Sequence, residues 1–149
     1  MTTKERVEQS VELLNLGHSC SEALMLSYAD DFRLAPSQAM KLASGFAGGM
    51  GEGSGTCGVV TAACMVMGLA LGPGSLSELS ERDAVRMMVS SFMEGFLADH
   101  GSLICTELNG GFDPVTPDGK EAIRLSGRAP ILVARAVERI DGLLGNAES

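Results

Sequence analysis

Residues 57–71 read CGVVTAACMVMGLAL, a run with no charged residue and no alternation of apolar with polar positions. It is too long for a typical strand and too short to span a bilayer, so it predicts a helix. A helix apolar almost all round has to be buried, and the rest of the chain must therefore wrap it. Gly72, Pro73 and Gly74 break the run on its far side.

The flanking sequence supplies further helices. Thr2 and Glu5 have capping-box spacing for a helix over residues 3–16, with Val7, Val11 and Leu14 on one face and Gly17 as its stop. Ser19 and Glu22 repeat that box for residues 20–31, turning Ala23, Leu24 and Tyr28 inward. Pro36 opens a helix over residues 36–44, ended by Gly45. Ser80 and Asp83 predict a cap for residues 80–100, where Val85, Met88, Val89, Phe92 and Phe96 form a stripe. A turn over 104–108, an irregular loop NGGFDPVTPDG and a weaker helix over 120–125 follow. Pro130 then opens the last helix, whose inner face is Val133, Val137, Ile140 and Leu144. The expectation is an all-α fold, a single helical domain over residues 1–149 with about six to eight helices.

Charge narrows the function. With 11 basic against 19 acidic residues and a net charge of -8, the chain repels phosphates, which argues against a nucleic-acid or membrane partner. Residues 1–10, MTTKERVEQS, lack the apolar centre of a signal peptide. A cytoplasmic location is expected, where thiols stay reduced. The 4 cysteines then read as metal ligands, redox groups or core filling rather than a disulfide framework.

Three cysteines share a setting. Cys20 follows Gly17-His18-Ser19, Cys57 follows Gly55-Thr56, and Cys105 follows Gly101 and Ser102: a glycine, a hydroxyl residue, then a thiol at a helix start. First-turn amides are unpaired and carry the positive end of the helix dipole, so these thiols are expected to have lowered pKa values. Cys57 should lie accessible at the start of the central helix and is the candidate nucleophile. Cys64, seven residues after Cys57, lies about two turns up the same helix, too far for a disulfide, and reads as core. His18 and His100, beside Cys20 and Cys105, are either further ligands or exposed caps. The 9 methionines read as core.

The preceding segment, GFAGGMGEGSGTCG, contains GSGTCG, which matches G-x-G-x-x-G by letter. Without a preceding strand it lacks the dinucleotide-binding context, and the absence of any lysine or arginine between Lys41 and Arg82 excludes a P-loop. These glycines let the backbone turn sharply and approach closely.

At these residues the chain resembles the C_GCAxxG_C_C family of redox-active proteins, small bacterial and archaeal domains. The resemblance runs over residues 17–144 and is carried by GHSCSEALMLSY, ASGFAGGMGEGSGTCGVVTA and HGSLICTELNG. It implies a helical domain whose four signature cysteines form a redox or metal centre, the first three here being Cys20, Cys57 and Cys105. Two positions depart from the pattern: Ala62 replaces the glycine after C-G-A-x-x, and the fourth cysteine's place falls at or beside Ala129, in GRAP.

Three readings follow. In the first, Cys20, Cys57 and Cys105 bind an iron-sulfur cluster or other thiolate-bound metal, with His18, His100, water or substrate in the remaining position and Gly49, Gly51 and Gly58 as backbone against the cofactor. In the second, the chemistry is metal-free thiol-disulfide exchange with Cys57 attacking and Cys20 or Cys105 resolving. In the third, the chain is a helical interaction subunit that has lost the fourth cysteine. The partner expected for the first two is a redox protein or small molecule. The apolar central helix is also compatible with a homodimer.

Overall fold

A computed structural model describes the backbone of residues 1–148 and the side chains of residues 1–145, and the described residues form an all-α bundle. α1 (Thr3–Asn15) and α2 (Cys20–Tyr28) start at the expected capping boxes: the Thr2 hydroxyl accepts from the Glu5 amide and the Ser19 hydroxyl from the Glu22 amide. Each satisfies an otherwise orphaned donor. Beyond Tyr28 the expected helix tightens into a 3-10 turn, Ala29–Phe32, which ends at Arg33 in a left-handed conformation. α3 (Pro36–Ser44) has the predicted bounds.

A single turn, α4 (Ala47–Met50), lies in the glycine segment, with Gly48 and Gly49 at φ 65° and 70°. α5 (Gly58–Leu71) is the central helix, with Cys57 as its N-cap residue rather than in its first turn. α6 (Glu81–His100) follows a 3-10 turn at Leu76–Glu78. The cap expected from Ser80 is not made, because Ser80 itself has helical dihedrals and its side chain makes no capping bond. After the short α7 (Cys105–Leu108), α8 (Pro117–Ser126) is longer than predicted, since the Thr116 hydroxyl caps it by accepting from Gly119. α9 (Arg128–Glu148) begins two residues before Pro130, directly after Gly127, whose φ of 68° ends α8.

The core is built around α5. Val59, Val60, Ala62, Ala63, Val66 and Met67 pack with Leu24, Met25 and Tyr28 of α2, Phe92 and Phe96 of α6, and Val133, Val137 and Ile140 of α9. The helix is not buried all round, however. Thr61, Cys64, Met65 and Gly68 are half-buried and Leu69 is 45% exposed, because α2, α6 and α9 cover only part of its circumference. No described helix is long and apolar enough to cross a membrane.

A buried charge ties three helices together. The Arg6 guanidinium donates to the Ser27 carbonyl and to Asp31 (2.7 Å) and lies over the Tyr28 ring at 4.1 Å. The Tyr28 hydroxyl donates to Asp141 at 2.6 Å, and Thr3 donates to the other oxygen of that carboxylate at 2.8 Å. α1, α2 and α9 are thereby held in one register. These partners offset most of the cost of burial, although the Arg6 Nε makes no hydrogen bond and stands 3.8 Å from Asp141.

Candidate thiol centre

The glycine segment folds back on itself and then runs antiparallel to the chain entering α7. Gly53 donates to the Gly48 carbonyl at 2.7 Å, and Thr56 sits opposite Ile104 in an isolated bridge. The Cys57 amide donates to Leu103 (2.7 Å), the Cys105 amide to Gly55 (3.0 Å) and the Thr106 amide to Gly53 (3.1 Å). Cys57 and Cys105 each follow the bridged pair by one residue. Side chains alternate across such a ladder, so both cysteines fall on the face opposite Thr56 and Ile104.

Two glycines bring the remaining backbone in. A Cβ on Gly49 would stand 2.7 Å from the Cys105 Cβ, and one on Gly58 would stand 3.1 Å from the Ser21 Cβ and 3.3 Å from the Phe46 carbonyl. Gly58 therefore lets the start of α5 settle against the start of α2, beside Cys20. Gly51 is different: it has φ 81° but open space around it, and serves the turn alone.

Cys20 is the first residue of α2, half-buried against the core, and charge on Cys57 or Cys105 bears directly on it. Cys57 and Cys105 thus share one face of the bridge, with Cys20 at the start of the neighbouring α2 within reach of their charge. The structure also reverses the expected electrostatics. Cys57 is 2% exposed rather than accessible, and burial pushes its thiol up to about 11. The Val59 and Val60 amides pull the other way, as a helix start should, and the Cys105 charge raises it further. Burial likewise raises Cys20, reinforced by Cys57 and Cys105, and raises Cys105 against a lowering hydrogen bond from Asn109. The dipole is present, but loss of water outweighs it.

The other candidates lie apart from a common site. His18 Nδ1 is 3.9 Å from a Glu22 carboxylate oxygen. His100 packs against Phe96 with ring centroids 4.4 Å apart and the planes tilted by 54°, burial lowers its pKa, and it lines an open cleft of about 260 Å³ with Asp99, Glu107, Leu108 and Arg128. Cys64 is half-buried on α5 and stands outside the main core cluster, contrary to its reading as core. Ala129 is half-buried in the first turn of α9. Among the described residues, no three His, Cys, Asp or Glu side chains stand together at metal-binding spacing.

Sequence reasoning passed over Asn109. It is 5% exposed, and its side-chain nitrogen donates to the Cys105 carbonyl at 2.9 Å and faces the Cys105 sulfur at 3.6 Å. Its place four residues after Cys105, one helical turn on, was the available signal.

A family model described as "Putative redox-active protein (C_GCAxxG_C_C)" matches residues 18–141. No match was found among curated proteins or among solved structures.

Proposed function

The chain belongs to the C_GCAxxG_C_C family of redox-active proteins, and on that premise we propose that Cys20, Cys57 and Cys105 hold an iron-sulfur cluster or soft metal ion for electron transfer. What supports this reading is two buried thiols, Cys57 and Cys105, and a half-buried third, Cys20, within reach of each other's charge, with N–H donors near two of them. A thiol buried enough to be raised to about 11 is a poor free nucleophile at neutral pH. A cation changes that balance by supplying the counter-charge that water no longer provides, so burial that silences a free thiol suits a ligand.

By their chemistry three thiolates are donors of the kind an iron-sulfur cluster or a redox-active soft metal takes, and such a group would supply one-electron chemistry when bound. The residues of the chain do the rest. The Val59 and Val60 amides stabilise charge on the Cys57 sulfur, Asn109 does so at Cys105, and the apolar wall of α5 and α2 excludes water. Ala129 offers no ligand, so Cys20, Cys57 and Cys105 would be the thiolates that hold the group. A reducing, cytoplasmic setting belongs to the same reading.

Anaerobic purification with iron and sulfide analysis, followed by cobalt(II) titration of metal-free protein, tests the proposal. Bound metal that each of Cys20→Ser, Cys57→Ser and Cys105→Ser diminishes is the expected result. Protein that takes up neither iron nor cobalt overturns it.

The backbone bridge that puts Cys57 and Cys105 on one face favours a second reading, a metal-free dithiol. In it both S–H bonds break and an S–S bond forms, while the disulfide of a redox partner takes up the two electrons and two protons and is reduced to a dithiol. Mild oxidation giving a reversible Cys57–Cys105 bridge in metal-free protein would support it, and four thiols that remain free would exclude it.

A further inference from the structure

Asn109 has an unusual hydrogen-bond balance for a buried side chain. Its Nδ2 serves the Cys105 carbonyl and the Cys105 sulfur, while its Oδ1 is buried without a partner. A buried orphan acceptor costs about 1–3 kcal/mol and calls for a reason.

The orientation of the amide follows from chemistry. The Cys105 carbonyl is an acceptor only, so exchanging the two ends of the Asn109 side chain would set oxygen against oxygen. Nδ2 must therefore face the carbonyl, and its second N–H is left for the sulfur. The Asn109 backbone amide also donates to that carbonyl at 3.0 Å, so the end of α7 is closed without the side chain. Capping alone does not account for a buried asparagine.

We propose that Asn109 is a positioning residue for the thiol centre, its carboxamide locked with an N–H on the Cys105 sulfur so that this sulfur is held as an acceptor. That is the state a metal-bound thiolate requires, since a metal ligand has no proton left to donate and its charge is stabilised by incoming donors. The inference rests on the reading of Cys105 as a ligand. Within that reading it places control of the centre in a residue one turn beyond the thiol.

The test has two arms. In the first, cobalt(II) is titrated into metal-free wild-type protein, Asn109→Leu and Asn109→Asp, following the sulfur-to-cobalt charge-transfer band. Both variants should bind about 10–100-fold more weakly with a displaced band, since one removes the donor at similar volume and the other replaces it with an acceptor. In the second, the Asn109 side-chain amide protons are followed by NMR in metal-free protein. Their resonances should move in Cys105→Ala, and in Cys105→Ser should that variant be the better folded. If wild-type protein takes up no cobalt, the metal reading fails by itself and the NMR arm alone decides on Asn109. Variants that bind cobalt within about twofold of wild type with an unshifted band overturn the proposal, as do amide resonances indifferent to residue 105.

Discussion

At the scale of single residues, the thiols carry the main lesson. The Cys57 pKa is raised in the folded protein, so the folded state holds its proton more tightly than the unfolded chain does. Its contribution to stability is full below the unfolded thiol range near pH ~8.5 and is lost as pH climbs towards about 11. Cys57 alone should account for roughly 3 kcal/mol of the loss between those limits. Urea unfolding of metal-free Cys57→Ser, which does not titrate there, should therefore fall less steeply than wild type, the raised Cys20 and Cys105 keeping part of the slope. Two glycines give a paired test of space against backbone. Gly51→Ala meets only a positive φ and should cost about 1 kcal/mol. Gly49→Ala meets a positive φ and the Cys105 Cβ together, and should cost about 3 kcal/mol by denaturant midpoint while weakening cobalt binding.

At the scale of elements, local patterns were legible where the cap and the helix lie within three residues of each other. The Thr2/Glu5 and Ser19/Glu22 boxes formed as expected. Ser80 carried similar spacing but stayed uncapped, since the 3-10 turn before it draws its own backbone into helical dihedrals. What holds the elements to each other was not legible. Arg6 reads as one charge on the surface of an amphipathic helix, yet it is 5% exposed, because Asp31, Tyr28 and Asp141 meet it from three elements. Arg6→Met removes the charged hydrogen bonds to Ser27 and Asp31, while Asp31 keeps water and Asp141 keeps Tyr28 and Thr3, and should cost about 2 kcal/mol. Tyr28→Phe loses only the bond to Asp141 and should cost about 2 kcal/mol. Amide exchange should show α1 opening first in Arg6→Met.

At the scale of the whole molecule, the three thiols come from α2, the start of α5 and α7, elements that become neighbours only when α5 is enclosed. A metal held by all three can bind only the folded state with useful affinity, so loading should raise stability by mass action. At free metal about 100-fold above its Kd the gain is about 2.7 kcal/mol, read as a higher melting temperature. Cys57→Ser should erase that gain while leaving the metal-free melting temperature close to its wild-type value near pH 7.

The amino-acid sequence by itself determined the helical class, the central helix, the two capping boxes and the three cysteines worth attention, because each depends on spacing along a few neighbouring residues. It also told against a nucleotide loop, since the glycines lacked a preceding strand and a nearby basic residue. Only the tertiary structure decided that Cys57 is buried, that all three thiols are raised rather than lowered, and that Asn109 faces Cys105. The helix dipole is local and can be read from a chain, whereas desolvation depends on segments that are remote in sequence and adjacent only after folding.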